Sequence, residues 1–91
     1  MPRIEKHLLI VNKLGLHARA AIKLVQLTAS YKATVMVSNG EKEASADSVM
    51  GLLMLEAAQG QTVHVTCEGE DAAALLEAVE QLVAARFDES E

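Results

Sequence analysis

Thr62-Val63-His64-Val65-Thr66-Cys67 decides the fold class. Its residues alternate: Val63, Val65 and Cys67 face one way and Thr62, His64 and Thr66 the other, which is the period of a half-buried β-strand. Gly69 closes the strand, and the pattern then changes period. Asp71 to Phe87 reads as the best helix in the chain, with Leu75, Val79 and Leu82 joined on one stripe by Leu76 and Val83. The acidic ending Phe87-Asp88-Glu89-Ser90-Glu91 is expected to fray.

Upstream, Ala33 to Ser38 is strand-like, with Val35 and Val37 on one face. Asn39-Gly40 supplies a hairpin signal, since both turn positions favour positive φ, and Glu41 to Ala46 is expected to return as a polar, half-exposed strand. Asp47-Ser48 reads as a helix N-cap opening VMGLLMLEAA, a helix expected to end near Gly60. Nearer the start, His7 to Val11 reads as a short buried strand bounded by Asn12 and Gly15. Ala18 to about Ser30 is a helix with Ile22, Val25 and Ala29 on one stripe. The order β-α-β-β-α-β-α lacks a regular βαβα rhythm. It therefore predicts an α+β domain with helices covering one face of a largely antiparallel sheet.

Ninety-one residues make one domain, and 51% apolar content is too rich for a disordered chain. The only aromatic residues are Tyr31 and Phe87, too few to stack single-stranded nucleic acid. A net charge of −5 argues against a nucleic-acid coat. That total hides a split: residues 1–32 hold six cations and one anion, residues 33–91 two cations and twelve anions. The single Cys67 excludes an internal disulfide and fits a reducing compartment. The run Leu8 to Val11 is too short for a signal-peptide core or a membrane span, so the expectation is a cytoplasmic domain with no membrane partner.

The chemistry concentrates in Asn12-Lys13-Leu14-Gly15-Leu16-His17-Ala18-Arg19-Ala20-Ala21. Gly15 permits a tight turn, and a helix begins at His17 or Ala18. Histidine is a poor N-cap, so its presence there asks for another reason. The first helical N–H groups lack intrahelical partners and the dipole is positive at that end, which suits a phosphoryl group. The same field disfavours imidazolium and leaves His17 a lone pair for attack. Ala18 and Arg19 would offer N–H groups, Arg19 a guanidinium and Lys13 further charge. The basic front would tolerate the phosphoryl group and steer an acidic partner toward it. Alternatively, His17 is a surface loop residue beside an ordinary helix. His7 and His64 suit packing or surface roles, and no ligand-type spacing supports a zinc site made from the three histidines.

LGLHARAA resembles the active-site segment G-L-H-x-R-P-A of the HPr family, the histidine phosphocarriers of bacterial phosphotransferase systems. The likeness extends to S-N-G, S-A-D-S-V-M and C-E-G-E-D, and NKLGLHARAA, LLMLEAAQG and RFDESE point to the nitrogen-related branch. The resemblance implies an open-faced β-sandwich of four strands with three helices on one face, and a monomeric carrier without cofactor or metal. It implies that His17 is phosphorylated on Nδ1 by an enzyme I-type kinase using phosphoenolpyruvate and passes the group to an EIIA-type protein, with Arg19 supporting it. The downstream role would be regulatory, linked to nitrogen, carbon or potassium. Leu16, Ala20, Val49, Met50 and Leu53 would form the docking surface, the apolar second helix being too hydrophobic to bury on every side. Ala20 stands where the family has proline, which leaves the helix able to form but alters its first-turn preorganisation. Ser48 matches a serine phosphorylated in some sugar-branch members, although an N-cap role accounts for it.

Two other readings compete. ADSVMGLLMLE superficially resembles the helix start of acyl carrier proteins, with Ser48 as the modified residue, but the strand pattern of Thr62–Cys67 opposes a helical bundle. A passive regulatory interaction domain differs from a phosphocarrier only in whether His17 is needed. A sugar-branch HPr is the remaining alternative.

Overall fold

The computed structural model describes residues 2–91. Its elements are β1 (Arg3–Leu9), α1 (Ala18–Thr28), β2 (Ala33–Ser38), β3 (Glu43–Ser45), α2 (Val49–Leu53), β4 (Thr62–Gly69) and α3 (Ala72–Ala84), then a 3-10 turn at Arg86–Asp88. The strands form one sheet in the order β1-β4-β2-β3, with every neighbouring pair antiparallel. β4 lies between β1 and β2, so its alternation governs both neighbours. Cys67 pairs with Ile4 and Val35, Val65 with Lys6 and Val37, and Val63 with Leu8. Val63, Val65, Cys67, Val35, Val37 and Leu8 are buried on one face, with α3 packed against β1 and β4 and α1 against α2 and α3. This is the expected α+β architecture, an open sheet with helices on one side.

Several boundaries differ from expectation. β1 spans Arg3–Leu9, not His7–Val11, because its pairing with Thr62–Glu68 sets its length. The exposed Arg3 and Glu5 hid its start, and Ile10 only joins the turn, with its N–H on the Gln61 carbonyl at 2.9 Å. In α1 the buried face is Ala20, Ala21, Leu24 and Thr28, while Ile22 is 44% exposed and Ala29 lies outside. Small side chains let this helix approach its neighbours closely, and that approach overrides the apolar stripe. The hairpin is a four-residue loop, 39–42, in which Gly40 alone has positive φ. Asn39 acts through its side chain instead: Oδ1 accepts the N–H groups of Glu41 (2.9 Å) and Lys42 (2.8 Å). The returning strand is accordingly only Glu43–Ser45.

Ser48 caps α2, its hydroxyl accepting the Gly51 N–H at 3.0 Å. The helix stops at Leu53 and not near Gly60. Beyond it Glu56 takes φ 51°, Leu55 and Ala57 turn inward, and the Asn39 amide holds the Leu55 carbonyl at 2.9 Å. α3 ends at Ala84, not Phe87. Arg86, Phe87 and Asp88 follow with φ of 60°, 53° and 64°, a left-handed turn that sends the Phe87 ring back into the core. Non-glycine residues adopt that region reluctantly, and burial of the ring offsets the cost. Among the described residues, no helix is long and apolar enough to cross a membrane.

Candidate functional site

The loop between β1 and α1 is built on Gly15. The Gly15 N–H returns to the Asn12 carbonyl at 3.2 Å, and Leu16 N–H reaches the Ala57 carbonyl at 2.8 Å. Gly15 has φ +66°, and a Cβ there would stand 2.4 Å from that same Ala57 oxygen. Both the backbone conformation and the close approach require glycine. The loop thereby delivers His17 to the start of α1.

His17 is the N-cap, with extended backbone (φ −84°, ψ −177°), and its ring Nδ1 accepts the N–H of Arg19 at 3.3 Å. The imidazole does what a serine or aspartate oxygen usually does at this position. An accepting Nδ1 holds a lone pair, which places the ring proton on Nε2. Nε2 meets the carboxylate of Glu89. One edge of the ring therefore faces the positive end of a helix and the other a negative side chain.

The encounter with Glu89 corrects the expectation of a frayed tail. The left-handed turn reverses the chain after α3, and the last residues fold over the site. Lys13 lies 3.6 Å from Glu91 and Lys23 3.4 Å from Asp88. The basic front is consequently interleaved with the acids of the tail, and is not a purely positive corner. Glu89 also accepts from the Asn12 amide at 3.0 Å, while the same Asn12 nitrogen donates to the Gly15 carbonyl at 2.7 Å. Asn12 is completely buried, and its Oδ1 has no partner among the described residues. Burial pushes the Glu89 carboxyl upward. The hydrogen bonds from His17 and Asn12, with the positive charge of Arg19, outweigh burial and hold it below its usual range.

Lys13, Leu14, His17, Ala18, Arg19 and Lys23 line one surface depression together with the tail residues Asp88 to Glu91. The Arg19 side chain is exposed, and among the described residues it forms no ion pair. Ala18, also exposed, occupies the first position of α1. Lys13 sits at the rim, engaged with the tail. The structure thus brings His17, Ala18, Arg19 and Lys13 together and adds Glu89 and Asn12, which sequence reasoning missed. The available signal was Phe87, a lone large apolar residue placed just beyond the end of a helix.

The expected docking residues separate. Leu16 and Ala20 are buried and present no side chain to a partner, because Leu16 plugs the loop and Ala20 belongs to the inner face of α1. On α2, Met50 is 70% exposed while Val49 and Leu53 are half-buried. Leu14 and Met54, at 67% and 61%, are further exposed apolar residues. Ser48 remains a cap. His7 and His64 stack on the open face of the sheet with centroids 4.7 Å apart, His64 Nε2 lying 3.1 Å from Glu5. Among the described residues, no three His, Cys, Asp or Glu gather as a metal site.

The family model described as "PTS HPr component phosphorylation site" matches residues 4–85. The phosphocarrier protein NPr of Shewanella violacea is 50% identical over 90 residues, 99% of each chain. The phosphocarrier protein NPr of Escherichia coli K12 is 44% identical over 81 residues, 88% of this chain and 90% of that one. Among solved structures, HPr-C-His from Thermoanaerobacter tengcongensis superimposes with a TM-score of 0.86 at 32% identity, covering 100% of both chains.

Proposed function

Because the chain belongs to the HPr family of phosphotransferase-system phosphocarriers, non-catalytic proteins that carry a phosphoryl group, we propose that His17 Nδ1 is the atom that carries it here. The observation behind this reading is the N-cap: the ring nitrogen with the lone pair already accepts the first-turn N–H of Arg19. In the forward step the Nδ1 lone pair attacks phosphorus. The bond from phosphorus to the donor breaks, and its electron pair returns to the donor. The Arg19 N–H, released from Nδ1, turns to a phosphoryl oxygen, and the unpaired guanidinium supplies a second, charged contact. Lys13 adds charge from the rim.

The donor in this reading is an enzyme I-type protein of the nitrogen-related branch, itself charged by phosphoenolpyruvate, and the acceptor is an EIIA-type protein. The names of the relatives from Shewanella violacea and Escherichia coli support the branch. A donor that draws on phosphoenolpyruvate places the reaction in the cytoplasm. The downstream role we assign is regulatory, tied to nitrogen, carbon and potassium status. Met50, flanked by the half-buried Val49 and Leu53, is the docking side chain on α2, where a flexible thioether suits more than one partner.

The test incubates the protein with phosphoenolpyruvate, magnesium and enzyme I of either branch. An acid-labile, base-stable phosphate should appear faster with the nitrogen-type enzyme and vanish in His17→Ala. Arg19→Ala should slow transfer while leaving the melting temperature nearly unchanged, since no core volume is removed. A stable phosphate on Ser48, or none, would overturn the reading.

A further inference from the structure

We infer that Glu89 is a positioning residue for His17: its carboxylate holds the Nε2 proton, so that Nδ1 is the ring nitrogen offered to phosphorus and the imidazole stays a good leaving group when the phosphoryl group moves on. This rests on the reading of His17 as the phosphoryl carrier. Three features place the carboxylate. Asn12, fully buried, donates to Glu89 Oε1 at 3.0 Å and to the Gly15 carbonyl at 2.7 Å, so it joins the tail to the loop that presents the histidine. Phe87, two residues before Glu89, is anchored in the core. The left-handed conformation at Arg86, Phe87 and Asp88 is sparsely populated and persists only where surrounding structure imposes it, a circumstance common at functional sites.

The chemistry follows from the two edges of the ring. Attack through Nδ1 by a ring protonated on Nε2 leaves the proton where it was and puts formal positive charge on the phosphorylated imidazole. Glu89 lies on that proton and stabilises the charge. Onward transfer breaks the Nδ1–P bond, and the bonding pair returns to a ring that leaves as neutral imidazole. If the Nε2 proton were lost, the ring would leave as an anion, which is far less favourable. The carboxylate touches the edge away from the helix start, so it does not occupy the approach of the phosphoryl group. The other charged groups around the depression are Arg19 and Lys23 on α1, Lys13 in the loop, and Asp88 and Glu91 in the tail. They stay unchanged in a Glu89 variant.

The experiment compares wild type with Glu89→Gln, which keeps shape and removes charge, and Glu89→Ala, which removes the contact; circular dichroism checks that each is folded. In the unphosphorylated proteins, nitrogen NMR of the His17 ring should show a protected Nε2 proton in wild type. It should exchange faster in both variants, with the two ring nitrogens shifting toward tautomer averaging. In the phosphorylated proteins, the decline of transfer to an EIIA-type acceptor with rising pH should begin at a lower pH in the variants than in wild type. At mildly alkaline pH their transfer should be slower by roughly 3- to 10-fold, the scale of removing one carboxylate beside an ionised ring. Unchanged ring spectra, or superimposable pH–rate profiles in folded variants, would overturn the inference, as would a variant that lost stability alone. Failure of wild type to accept phosphate would refute the carrier reading instead, while the spectra still decide whether Glu89 holds the ring.

Discussion

Lys23 on α1 donates to the backbone carbonyl of Phe87 at 3.0 Å, fastening the reversal at the end of the chain to the helix that His17 caps. Its ammonium also lies 3.4 Å from the Asp88 carboxylate, which is well exposed and adds little. The carbonyl contact matters more, because it ties down a left-handed turn. Lys23→Met should lower global stability by about 1 kcal/mol or less. It should raise hydrogen exchange and protease cleavage selectively after residue 85. Uniform loss of protection across the sheet would contradict this local role.

Phe87 is the anchor of that turn and one of the largest fully buried side chains. Phe87→Ala should cost about 3–5 kcal/mol, read as a shift in the urea midpoint. That is a large share of a small domain's stability of about 5–15 kcal/mol. The Lys23 contact alone would not offset three successive left-handed residues, so the tail should leave the site and the His17 ring resonances should move toward those of Glu89→Ala. A loss under 1 kcal/mol would show that the ring is not packed as described.

Acid should release the tail. The Glu89 carboxyl is pushed up by burial but held, on balance, below its ordinary range by His17, Asn12 and nearby positive charge. Its folded-state value therefore lies below its unfolded one, and the unfolded chain takes up the proton first as pH falls. The stability it contributes is complete above the ordinary glutamate value of about 4.3 and is lost as pH drops through the folded-state value. The stability difference between wild type and Glu89→Gln should be constant near neutrality and shrink below about pH 4. A difference that grew on acidification would reverse the sign.

Cys67 is fully buried on β4, and burial pushes its thiol up to about 11. The thiolate is the nucleophile, so an aromatic disulfide reagent should leave the native protein unmodified for hours at pH 8 and react fully in denaturant. Fast native labelling would mean that β4 opens readily.

What was legible in the sequence was what local chemistry decides. Thr62–Cys67 needed only its own alternation, and Ser48 needed only the four residues it caps. His17 was legible because an unusual cap invites a chemical reason. The stripe of α1 was misread because Ile22 is more apolar than Ala20 and Ala21, whereas close helix approach rewards the smaller residues. Asn39 closed its turn with a side-chain oxygen and not the left-handed backbone its pairing with Gly40 implied. Glu89 lay furthest from reach. Its position depends on a turn that contains no glycine, on the destination of Phe87, and on Asn12, a partner 77 residues away in sequence.

The cap at His17 has a consequence for how partners tell loaded carrier from empty. Phosphorylation would remove one hydrogen-bond acceptor, Nδ1, from the start of α1 and install three oxygens at the same spot. The backbone N–H of Arg19 finds an acceptor in either state, so the helix need not unwind, lengthen or tilt. The two forms then share a shape and differ by about one negative charge, the phosphoryl oxygens' charge of about −2 being partly offset by the proton kept on Nε2. Discrimination between them becomes a matter of local potential, and rigid surfaces suffice for a protein that must be recognised in both conditions.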